Sequence, residues 1–307
     1  MEMRLKPFIK GAASFVLPPL RTTGHKVERC SSEDPDFCYS IFLRHYSYAA
    51  SYFISPIPEI VAELGPGSSL GVGLCALMCG ANIYYALDFV DHTDPTINLR
   101  VFDELLEMFR NRRPLARSET IFPEPVTWEF PTSLVMSNDD RLTAIRDDLI
   151  NKGNMFVRVA VPWTDVQIPS KSVGWLWSHS VMEHVDDIEH AWKCCATWLA
   201  TDGVMTHNID YQCHGLTKHW DGHRSINDLC WKILRGRRPY LINRMPHSAQ
   251  MALANGCGFE IVSELVYASH PGIPGSKLAK RFALTTARDQ ETAMAFVTLV
   301  VNSKNHI

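Results

Sequence analysis

One stretch, Glu59–Asp88 (EIVAELGPGSSLGVGLCALMCGANIYYALD), constrains the fold of this chain more than any other. Ile60 to Leu64 is a short apolar run closed by Gly65-Pro66-Gly67-Ser68-Ser69. Leu70 to Cys79 has the length and residue types of a helix, and Gly80 stands where a C-terminal capping glycine belongs. Ile83 to Leu87 is a second apolar run, ending on Asp88. Strand, glycine turn, helix, strand and acid make up the nucleotide-binding half of a doubly wound sheet. Gly65 and Gly67 permit a sharp turn and a close approach of backbone to ligand. Asp88 lies about as far downstream as the acid that holds ribose hydroxyls in such units. Gly71 follows Gly67 by four positions rather than three, so the dinucleotide fingerprint is imperfect. An adenosine-type ligand is the expectation.

The remaining chain extends the same alternation. Further strands are expected at 155–161, 173–177, 204–210, 259–267 and 296–301, with helices at 99–110, 139–151, 248–255 and from 188 to 199, closed by Thr201-Asp202-Gly203. The fold class is therefore α/β: a Rossmann-like doubly wound, mostly parallel seven-stranded sheet. Asp36 to Phe53 has the density of a buried helix. Its Tyr39, Arg44 and His45 either face a substrate from a cap over the cleft or mark the wet edge of a helix packed on the sheet. Residues 1–55 are taken as an N-terminal segment with this helical cap, and 56–307 as the main domain, with insertions at about 94–152 and 211–247.

A formal net charge of −3 over 307 residues gives no general attraction to nucleic acid or acidic membranes. Nine cysteines without a CxxC pair read as reduced thiols of a cytoplasmic protein rather than a disulfide or zinc framework. Met1 to Leu20 faintly resembles a signal peptide, but Pro18-Pro19 interrupts its apolar run and no small-residue cleavage pattern follows. It is expected to be a peripheral segment, touching at most a membrane surface or a partner.

ELGPGSSLG, the acid at Asp88, and WSHSVMEHVDD ahead of a helix and a D-G turn together resemble the class I S-adenosylmethionine-dependent methyltransferases. The segment HNIDYQCHG…HWDGH…LRGRRPYLINR is also similar to methyltransferase-domain proteins of bacterial glycan-biosynthesis clusters. The resemblance implies S-adenosyl-L-methionine as cofactor. It places Glu63, Leu64, Gly65, Pro66 and Gly67 beside the amino-acid part, Asp88 and Phe89 at the ribose, and Ser178 and His179 nearby. Two departures stand out. Where the family usually has an acid for the adenine amino group, this chain reads AVPWTD, leaving Asp165 for that role and Trp163 against the ring; and the helix-end turn is T-D-G rather than P-G-G.

Methyl transfer to a sugar hydroxyl is helped by a positioned base. His184, His207, Asp210, His214, His219 and His223 are the candidates, with Trp220 able to stack on a sugar face. Some methyltransferases hold magnesium through E-x-x-E-H. Here Ser180 occupies the first position, so only Glu183 and His184 remain, and no metal is expected. Lys232, Arg235, Arg237, Arg238 and Arg244 form a local basic cluster: either a site for a phosphorylated acceptor or a solvated helix face. The function expected is O-methylation of a carbohydrate or glycan-related small acceptor, without nucleic acid, and compatible with a homodimer. Methylation of another small molecule, NAD(P)-dependent oxidoreduction and a non-catalytic cofactor-binding module are the alternatives.

Overall fold

The computed structural model describes residues 4–16, 31–117, 126–128, 130–238, 240–268 and 272–302. Seven strands form the main sheet: β1 (Ile60–Leu64), β2 (Ile83–Leu87), β3 (Val157–Ala160), β4 (Val173–His179), β5 (Leu199–Asp210), β6 (Phe259–Ala268) and β7 (Thr292–Val301). Their order is β3-β2-β1-β4-β5-β7-β6. The pairs from β3 to β5 are parallel, and β7 runs antiparallel to both neighbours. This is the doubly wound sheet that the strand–helix alternation implies. The near-continuous apolar runs of β1 and β2 reflect burial on both faces.

Helices α1 (Leu5–Ala13), α2 (Pro35–Ala49), α3 (Gly71–Met78), α4 (Pro95–Arg110), α5 (Asp139–Ile150), α6 (Ile188–Trp198), α7 (Asp228–Arg235), α8 (His247–Gly256) and α9 (Ala287–Glu291) accompany the sheet. On one face α2, α3, α4 and α5 share a core with Trp175 and Trp177 of β4. On the other, α6 and α8 pack through Trp192, Cys195 and Met251. Asp94 caps α4 through the backbone N–H groups of Thr96 and Ile97, with Pro95 opening the helix where its missing N–H costs nothing.

Two local readings change, and one left open between two alternatives is decided. Thr201-Asp202-Gly203 is not a turn closing a helix: β5 already pairs with β4 at Leu199, and 200–203 are taken up by an irregularity in that register. α4 and α5, inside the stretch expected as an insertion, put Val101, Phe102, Leu105 and Ile145 into the main core, so they widen the β2–β3 crossover. α2 lies on the sheet with Arg44 and His45 fully buried. Arg44 donates to Asn208 Oδ1 (3.1 Å) and to the Tyr267 hydroxyl (2.6 Å), while His45 meets Thr206 Oγ1 at 2.8 Å. These contacts turn both side chains toward the sheet.

The N-terminal α1 packs on α7 in the 211–247 stretch, over a small core of Leu216, Ile226, Trp231, Leu234 and Ile242 with Phe8 against it. Gly11 makes this possible: a Cβ there would stand 2.0 Å from the Leu234 carbonyl oxygen. Among the described residues no helix is long and apolar enough to cross a membrane.

Candidate active site

The C-terminal ends of β1 and β2 open into a cleft of about 260 Å³. Leu64, Gly65, Leu87, Asp88 and Phe89 form one wall; Trp163, Val181, His184 and His190 form another, and Tyr240 reaches in from the 211–247 stretch. Ligands bind at this end of an open parallel sheet because the loops splay apart where the strand order reverses. Gly65 has φ +70°, and a Cβ on it would meet Val181 Cγ2 at 2.4 Å. The expected glycine turn is therefore required twice, by backbone conformation and by the packing of the loop after β4.

Asp88 sits at the lip. Burial raises its carboxyl above the usual range, partly offset by the Phe89 N–H, which donates to Oδ1 at 2.7 Å. Trp163 is tethered there through its N–H to the Asp88 carbonyl (2.8 Å), and its ring lies 5.9 Å from that of His190, nearly parallel. Three aspartates and no lysine or arginine line the cleft among the described residues. Of these, Asp186 pairs with Arg235 and Asp187 caps α6 by accepting from His190 N, which leaves Asp88 as the carboxylate facing the cleft.

The other expected cofactor residues are placed differently. Glu63 turns inward beneath the glycine loop and accepts from the Tyr84 hydroxyl at 2.5 Å; burial lifts its carboxyl to about 7. Ser178 is buried against His207 (2.8 Å), and His179 faces α2, with its ring against Phe37 and His45. Pro66 is buried and Gly67, at φ +77°, continues the turn. Asp165 ends a short turn after Trp163, and its side chain lies outside the described residues.

The residues proposed for acceptor chemistry divide into two groups. His184, Asp210 and His214 come together beside the cleft: the His184 and His214 rings lie 4.9 Å apart, edge to face, and Asp210 Oδ2 stands 3.4 Å from His214 Nε2. Burial, then the neighbouring His214, lowers His184 to about 4, and its Nδ1–H donates to the Tyr240 carbonyl at 2.6 Å. It is thus neutral at pH 7 with Nε2 carrying a lone pair. So low a pKa makes it a weak proton acceptor, since a base works best when matched to the working pH.

His207, His219 and His223 do not join the cleft. His207 is buried against Ser178 and Trp192, with its pKa pushed down to about 3 by burial. In H-W-D-G-H, Asp221 is fully buried, accepting from His219 Nδ1 (2.5 Å) and Ile273 N (2.9 Å). Arg224 covers Trp220 at 5.7 Å, and the buried His223 lines a small cavity with Glu183 and Asp210. The basic cluster is largely committed too. Arg244 is buried with Asp228 (3.0 Å), Arg235 pairs with Asp186 and Arg238 donates to carbonyls closing α7, leaving Lys232 and Arg237 exposed.

Sequence reasoning missed Val181, His190 and Tyr240. His190 lies one turn into α6, close enough to the S-x-x-E-H segment to have been considered. Nothing local marks Tyr240, whose place depends on a long-range path and a positive φ of 59°.

No protein-family model matches the chain, and no curated protein matches it by sequence. Among solved structures it is similar to the geranyl diphosphate C-methyltransferase of Streptomyces coelicolor in complex with Mg2+, geranyl diphosphate and S-adenosyl-L-homocysteine (11% identity, 94% of this chain and 87% of that one, TM-score 0.46). It is similar also to an S-adenosylmethionine-dependent methyltransferase from Mesorhizobium loti (10% identity, 81% and 94%, TM-score 0.40). Likeness at this level bears on no chemistry; the site's own residues carry the reading that follows.

Proposed function

We propose that the protein is an S-adenosylmethionine-dependent methyltransferase acting on an oxygen of a carbohydrate or related small acceptor. The observation that carries the cofactor reading is the cleft at the ends of β1 and β2, with Asp88 as the carboxylate facing it and, among the described residues, no lysine or arginine in its lining. Such a lining favours a cationic, phosphate-free nucleoside, because a carboxylate suits a ribose diol and a sulfonium but repels phosphate. The N-terminus of α3 supports the same choice. Dinucleotide sites use the backbone N–H groups there for a pyrophosphate. Here Ser68 N donates to Ser32 Oγ (2.9 Å), Leu70 N to Asn98 Oδ1 (2.9 Å) and Gly71 N to Ser69 Oγ (3.2 Å), so those donors are taken.

The oxygen acceptor is supported by the polar groups next to the cleft, His184, Asp210 and His214, which suit a hydroxyl rather than an apolar carbon. Bound S-adenosylmethionine would supply the methyl group. The chain's part is to hold the nucleoside on Asp88 and Trp163, cover it with Tyr240 and Phe89, and exclude water while an in-line acceptor is positioned. S-adenosylhomocysteine binding in calorimetry tests the cofactor assignment, and NAD+ or NADP+ binding in its place overturns it. Transfer of labelled methyl to a panel of glycan and small-molecule hydroxyl acceptors tests the rest; transfer only to carbon or nitrogen acceptors overturns the oxygen assignment.

A further inference from the structure

We propose that Glu183, His184 and His214 hold a divalent first-row transition-metal ion beside the cleft. The sequence shows only the adjacent Glu183 and His184, with Ser180 where a further acidic ligand would stand. The fold supplies a third group from elsewhere: His214, on the loop after β5, comes back so that one ligand atom from each of the three residues lies within 4.8 Å of the others.

Three features favour an ion over a plain polar cluster. First, Glu183 is 2% exposed, and among the described residues neither carboxyl oxygen completes a hydrogen bond. A buried carboxyl without partners is costly, and a cation is the partner that restores the balance. Second, the Nδ1–H of His184 donates to the Tyr240 carbonyl, which fixes the tautomer and leaves Nε2 as a lone-pair donor; ligating histidines are oriented in this way. Third, the backbone is held in unusual conformations around the cluster: Ser180, His214 and Tyr240 all have positive φ, at 56°, 48° and 59°. Non-glycine residues pay for that conformation, and it persists where a site needs it.

Asp210 stands behind the cluster. Its Oδ1 accepts from Gln212 N at 2.8 Å, and its Oδ2 faces His214 Nε2 at 3.4 Å, so it orients that ring. A cavity of about 10 Å³, the size of one water, opens beside Glu183 and Asp210. Two imidazoles and one carboxylate suit zinc, cobalt, manganese or iron better than magnesium or calcium, which prefer oxygen ligands. Three protein ligands also leave coordination positions open for a ligand oxygen. His184 lines the cleft as well as the cluster, so the ion would sit next to the bound nucleoside.

The test uses the full-length chain stripped of metal by chelator and titrated with Co2+, followed by calorimetry and by the visible absorption of the ion. One Co2+ per chain is expected, with His214→Ala and Glu183→Gln each weakening it by at least about tenfold. His214 is a partly exposed loop residue, so its variant keeps the fold, as unchanged circular dichroism will show. No Co2+ uptake by the parent chain, or equal affinity in His214→Ala, overturns the proposal. S-adenosylhomocysteine binding in the same metal-free samples reads the cofactor site separately, so the two assignments stand or fall apart.

Discussion

Two buried glutamates near the ends of neighbouring strands show how the halves of the site differ. Glu63, on β1 beneath the glycine turn, is satisfied within the protein: it accepts from Tyr84, and its carboxyl is lifted only to about 7. Glu183, just after β4, has a carboxyl that completes no hydrogen bond among the described residues, and burial, with Asp210 adding to it, raises that carboxyl well above the usual range. The first half closes on itself and leaves a shaped, mostly apolar cleft with one carboxylate facing it. The second gathers polar groups around Glu183, whose carboxyl oxygens complete no hydrogen bond among the described residues.

The contrast can be broken at its strongest point by Gly65→Ala. With φ at +70° and Val181 Cγ2 only 2.4 Å from the added Cβ, the variant is expected to lose about 3 kcal/mol of stability in urea unfolding. A neutral result would mean that the turn relaxes freely and that the first half is not preformed. Asp88→Ala comes next: S-adenosylhomocysteine affinity should fall by roughly 2 kcal/mol, about thirtyfold, in calorimetry, with the melting temperature little changed.

Glu63→Gln sharpens the comparison through pH. Because the folded carboxyl titrates near 7 against an ordinary 4.5, the native state holds the proton more tightly than the unfolded chain. Glu63 therefore contributes stability below about pH 4.5 that is lost as pH rises through 7. The glutamine variant should be more stable than the parent by about 3 kcal/mol at pH 8 and indistinguishable from it near pH 4, as read from paired denaturation curves. A pH-independent difference would show that packing, not ionisation, governs that position. The smallest effect is expected from the double variant Lys232→Ala/Arg237→Ala, whose side chains are exposed: under about 0.5 kcal/mol in stability and less than twofold in acceptor KM. A tenfold rise in KM would restore a phosphate-bearing acceptor.

Much of the first half was legible in the chain because its signals are local. Apolar runs for β1 and β2, glycines where φ turns positive, and an acid ending β2 are all fixed by residues within about one helix length of each other. The acceptor half was read by residue type, and residue type does not say where a side chain points. His179 and His207, only a strand apart, face opposite helical layers: one meets α2, the other Trp192 of α6. In H-W-D-G-H, Asp221 is buried and accepts from the backbone N–H of Ile273, which the sequence sets 52 positions away.

The sequence by itself determined the sheet, the glycine turn and the carboxylate at its edge, since period and backbone preference act over a few residues. Only the tertiary structure decided which histidines meet. His184 and His214 lie 30 positions apart in the chain, and long-range packing of the loop after β5 sets their rings 4.9 Å apart beside the buried Glu183 carboxyl.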